Sequence, residues 1–163
     1  MRHLPLLVVA GLLLVGISAF AADENDKPQI VGEWTLTKIE ALQNASTDRK
    51  TGRITPIPVG VGHKQLSGGE FQVPGEENGS RRYTLPKGVH FRVSPSRITD
   101  DTAVIDVLLA YTELTTQTDD GFSSTTQQSD GRYFVQFGKP LTVKLRLADG
   151  ITKYDLELVL KKQ

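Results

Sequence analysis

The chain has 163 residues with 19 basic and 19 acidic side chains and no cysteine, which is the size of one domain. A net charge of zero provides no global field to draw in nucleic acid or an anionic membrane surface. The missing cysteines exclude disulfides, thiolate metal sites and cysteine nucleophiles, so the core has to be held by packing alone.

Met1-Arg2-His3 gives a short basic start to an apolar run from Leu4 to Ile17, broken only by Pro5, Gly11 and Gly16. The run has the length of a signal-peptide core and falls short of the ~20 residues a membrane-spanning helix needs. Small residues follow in Ala19-Phe20-Ala21, so cleavage is expected after Ala21 or Ala22. The expected division is a signal peptide over residues 1–21, a flexible linker over 22–31 and one β domain over 32–163, with no stable membrane span after cleavage. An exported chain without disulfides suits a bacterial periplasm or the external medium better than a eukaryotic secretory route.

Beyond the linker the sequence reads as strands. Trp34–Ile39 mixes β-branched and aromatic residues with polar ones and is the first strand. Asn44–Gly52 is polar and rich in turn formers, and Ile54–Val61 carries Pro56 and Pro58, which demote it to an edge strand or extended loop with little regular pairing. A short strand is expected at Phe71–Val73, between glycine-rich and proline-rich turns. In Gly88–Val93 the residues Val89, Phe91 and Val93 alternate with His90 and Arg92 at the period of a half-buried strand, which Pro95 closes. Within Ala103–Leu114, the residues up to Thr112 are apolar on both faces except at Asp106 and Thr112, as a central strand would be. Thr115–Asp130, dominated by Thr, Ser, Gln and Asp around Phe122, reads as a mobile loop. Tyr133–Phe137 and Leu141–Leu147 are strands, and Asp149-Gly150 is a hairpin turn into Tyr154–Leu160. With no helical period outside the signal, the expected fold is all-β: an antiparallel β-sandwich or a partly closed barrel.

The run Gly88–Val107, an alternating strand leading to Val93-Ser94-Pro95, an acidic turn at Asp100-Asp101 and a valine-rich second strand, resembles the β-domain of bacterial secretins, outer-membrane channel proteins. The later order agrees: a Ser/Thr-rich insertion at Thr115–Asp130, a strand ending at Gly138, and another at Leu141–Leu147. Lys139-Pro140-Leu141 stands where that family has Gly-Gly-Leu, and the resemblance covers only residues 88–147. It implies β-topology and a place in the cell envelope. Gly32-Glu33-Trp34 is similar to the Gly-x-Trp of the first lipocalin strand, which implies a small-ligand carrier with an apolar cavity near Trp34.

Chemistry is hard to assemble. His63 and His90 lack the neighbouring histidines or carboxylates of a metal site and are expected at the solvent-exposed surface. No nucleophile elbow or phosphate loop is present, so no enzyme, cofactor or metal is expected. Asp106 falls in phase with Val104, Leu108 and Ala110, which suggests a buried acid paired with Arg92 or Arg97. Arg81 and Arg82, with Lys64 and Lys87, form either a basic patch or a charged sheet edge. The expected role is a non-catalytic exported module that binds another envelope protein or a surface, with Phe122, Arg81 and Arg82 as contact residues.

Overall fold

The computed structural model describes residues 27–40, 47–73, 83–118 and 121–163, whose regular structure is all β. Ten strands are present among them: β1 (Gln29–Glu40), β2 (Thr47–Pro58), β3 (His63–Leu66), β4 (Glu70–Val73), β5 (Tyr83–Pro86), β6 (Gly88–Ile98), β7 (Thr102–Thr118), β8 (Gly121–Gln136), β9 (Pro140–Arg146) and β10 (Thr152–Lys162). One four-stranded sheet has the order β2-β1-β10-β9 (sheet A) and another the order β3-β6-β7-β8 (sheet B), with β4-β5 as a small ladder of its own. Neighbouring strands are antiparallel throughout.

Chain order runs around the molecule, and β10 returns to pair with β1. That is the winding of an up-and-down barrel, but no ladder joins β2 to β3 or β8 to β9. Those two breaks flatten the structure into two facing sheets. The inner phase of the central strands is apolar over most of their length, in keeping with a period of two: Ile30, Trp34 and Leu36 on β1, Leu156, Leu158 and Leu160 on β10, Phe91 and Val93 on β6, and Ile105, Val107 and Leu109 on β7 form one cluster. Trp34 meets Phe91 edge-on across the two layers, with ring centroids 5.3 Å apart at 68°. Such a pair adds about 0.5–1.5 kcal/mol to the burial of its area.

Four sequence expectations are corrected here. The stretch with the two prolines is an edge strand, one of its two expected readings, but its pairing with β1 is not sparse and runs out to Pro58: Ile30 faces Ile57 and Gly32 faces Ile54. Thr55 and Pro56 therefore bulge opposite the single residue Val31, and the edge position needs no donor from proline. Pro95 does not end its strand. It is fully buried, and a second bulge between Pro95 and Arg97 carries β6 on to Ile98. Residues 115–118 and 121–130 are no loop, because β7 and β8, with one bulge between Leu114 and Thr116, stay paired out to Thr118 opposite Gly121. Backbone pairing with β7 holds this Ser/Thr-rich strand, and cross-strand contacts such as Thr112 Oγ1 to Thr126 Oγ1 at 2.9 Å add to it. Finally, β1 begins at Gln29, inside the stretch 22–31 expected as a linker.

Candidate interaction surface

The outward phase of β7 places Val104, Asp106, Leu108 and Ala110 in a column on the outer face of sheet B, flanked by β6 and β8. In successive rows of the ladder, Arg97 and Phe134 flank Val104, Ser94 and Arg132 flank Asp106, Arg92 and Asp130 flank Leu108, and His90 and Gln128 flank Ala110. The result is a face in which three successive rows carry charged side chains around an apolar or acidic central residue.

Asp106 and Arg132 form a two-point ion pair, with Nε to Oδ1 at 2.7 Å and Nη2 to Oδ2 at 3.0 Å. The side chains remain 45% and 67% exposed, respectively, so the expected buried acid is a half-exposed one. Its partner sits on the neighbouring strand β8; neither Arg92 nor Arg97 takes that place. The hydrogen bond from Arg132 holds the Asp106 carboxyl below its ordinary pKa. Arg92, Leu108, Gln128 and Asp130 border the pair and enclose an open cleft of about 540 Å³ with it. One row further down, Phe134 is 73% exposed beside a smaller cleft of about 270 Å³ lined by Arg97, Thr99, Thr102 and Val104.

The other candidates are scattered. His90 is 7% exposed, against the expectation of a wet position, although it occupies the outer face. His63 lies on the opposite, inner face beside Val93, and its Nε2 is buried without a hydrogen-bond partner among the described residues. Burial lowers the pKa of both imidazoles. The backbone of Phe122 pairs opposite Gln117 near the tip of the β7–β8 hairpin, whereas Arg81 and Arg82 lie outside the described residues. Trp34 fills the core and borders no open space of the kind a lipocalin-like carrier would need: its ring is packed between Phe91 and Gly52. Sequence reasoning missed Arg132, which becomes visible only once residues 121–136 are recognised as a strand, and Phe134, which lies on the outer phase of the strand expected at Tyr133–Phe137.

No protein-family model matches the chain, and no curated protein matches it. Among solved structures it is similar to the type II secretion system secretin GspD of E. coli K12, with TM-score 0.46, 8% identity, and coverage of 84% of this chain and 50% of that one. Aeromonas hydrophila ExeD gives TM-score 0.46, 8% identity, and coverage of 83% and 48%. The InvG secretin domain β-barrel of the Salmonella SPI-1 injectisome gives TM-score 0.38, 13% identity, and coverage of 84% and 63%. The chain spans about half the length of the first two. It bears a weak resemblance to the secretin β-domain, which concerns the path of the chain alone.

Proposed function

We propose that the chain is a non-catalytic, exported β module that engages another protein of the cell envelope through the outer face of sheet B. The observation that carries this reading is Phe134, an aromatic ring left 73% exposed in a face whose next row offers the Asp106–Arg132 pair. Exposed aromatic and arginine side chains on a rigid sheet are the usual anchors of protein interfaces. The placement of the ionisable groups agrees with binding rather than chemistry, since Asp106 is neutralised by Arg132 and Asp100 by Lys162. Phe122, Arg81 and Arg82 are proposed as further contacts. The basic start and apolar run of residues 1–17 support export, with a mature chain beginning at Ala22 or Asp23 that N-terminal sequencing would identify.

The reading is tested by photo-crosslinking in cells. A photoreactive residue at position 134 should give a discrete adduct with one envelope protein, and one at Thr142, on the outer face of sheet A, should not. Equal adducts from both positions, or none from position 134, would remove the proposed surface.

A further inference from the structure

At one end of the sandwich the inward phase stops being apolar. On β1 the inner series Ile30, Trp34, Leu36 continues to Lys38, and on β2 the residues opposite Leu36 and Lys38 are Lys50 and Asp48. Tyr154 lies on the other side of Lys38, on β10. The facing strands of sheet B end their inner series with Val89 and Tyr111, a direct cross-strand pair. The two tyrosines stack across the layers, with centroids 5.9 Å apart at 21°, and Lys50 Nζ donates to the Ser67 carbonyl at 3.2 Å. Together these residues border an open cleft of about 180 Å³ floored by Leu36 and Val89, room for roughly six waters at ~30 Å³ each.

Charged side chains on an inward phase have to find partners or water. Here Lys38 is ion-paired with Glu40, and Lys50 with Asp48 leaves the rim balanced in charge. An anion or a cation would find no net attraction in such a rim. A purely apolar ligand would strip water from two ammonium groups and a carboxylate without replacing their hydrogen bonds. A ring with one apolar face and a circle of hydroxyls satisfies both constraints, because hydroxyls donate to Asp48 and accept from Lys38 and Lys50 while the C–H face rests on aromatic and aliphatic carbon.

We propose that this cleft binds a single pyranose ring of a neutral carbohydrate. It lies between the sheets, away from the outer face of sheet B, so the two readings stand or fall separately. The test titrates the 15N-labelled protein with methyl β-D-glucopyranoside and with N-acetylglucosamine, using benzoate as a charged aromatic control. Saturable amide shifts are expected at Leu36–Lys38, Asp48–Lys50, Val89 and Tyr111, with a Kd of about 1 mM. Lys50→Ala should weaken binding about tenfold, Tyr111→Leu should abolish it, and Arg132→Ala should leave it unchanged. If the Tyr111 variant does not fold, the exposed Lys50 variant decides alone. Absence of saturable shifts with both sugars, equal binding of benzoate at the same amides, or unchanged sugar binding by Lys50→Ala would overturn the proposal.

Discussion

The indole of Trp34 lies directly over Gly52, its cross-strand neighbour on β2: a Cβ placed on Gly52 would fall 2.5 Å from Cζ2 of the ring. The glycine is thus the hollow into which the only tryptophan of the chain folds. Gly52→Ala is expected to push the ring toward Phe91 and to destabilise the fold by about 1–3 kcal/mol. Denaturant unfolding monitored by tryptophan fluorescence measures both the loss and the altered environment of the ring.

The Asp106–Arg132 pair predicts a weak stability effect despite its two-point geometry, because both side chains are wet and salt screens them. Arg132 lowers the folded pKa of Asp106 below the ordinary 3.8. The contribution is therefore whole above about pH 3.8 and is lost as pH falls through the folded value. Asp106→Asn should lower Tm by no more than about 2 °C at neutral pH, and the difference should shrink in concentrated salt. A large, salt-independent fall in Tm would show that the pair is more shielded than its exposure indicates.

The two histidines act in the same direction at a higher pH. Burial lowers both folded pKa values below 6.5, so the folded chain favours the neutral ring and the unfolded chain takes up protons first. This contribution is whole above about pH 6.5 and is lost from there down to the folded values. Tm should fall on mild acidification, and His63→Gln should flatten that slope, since its Nε2 is the buried atom without a partner among the described residues. An unchanged slope would place the titration elsewhere.

Hydrogen exchange tests the β7–β8 hairpin. An edge strand bonded on one side should show alternating slow and fast amides over Ser124–Asp130. Uniformly fast exchange is what a mobile loop would give. Excising Gln117–Gln128 should destabilise the fold, because it strips β7 of its partners from Ala110 outward.

Much of this architecture could be read from alternation alone. Val89, Phe91 and Val93, and likewise Tyr154, Leu156, Leu158 and Leu160, show their buried face in the sequence because the core demands one apolar residue in two. The part of β8 before Tyr133 could not be read that way. Its residues Ser123–Thr126 are exposed, and what holds them is the backbone ladder, which leaves no mark in side-chain chemistry. Missing that strand also hid the partner of Asp106, 26 residues away. Likewise, Pro95 looked like a strand end and Pro56 a sign of sparse pairing, because a bulge and a break have the same local composition; only the register distinguishes them. His90 looked exposed because its neighbours on the same face are polar, whereas burial depends on the whole face.

The pairing of β10 with β1, completed by the bond from the Gln163 amide to the Gln29 carbonyl at 3.0 Å, sets a timetable for assembly. A chain emerging from the ribosome presents β1 more than a hundred residues before its central partner exists, and sheet A cannot be completed until Lys162 has appeared. Contacts so distant in sequence make folding slow. During that interval the polypeptide remains threadable, a property that favours any translocation machine able to accept only an unfolded strand.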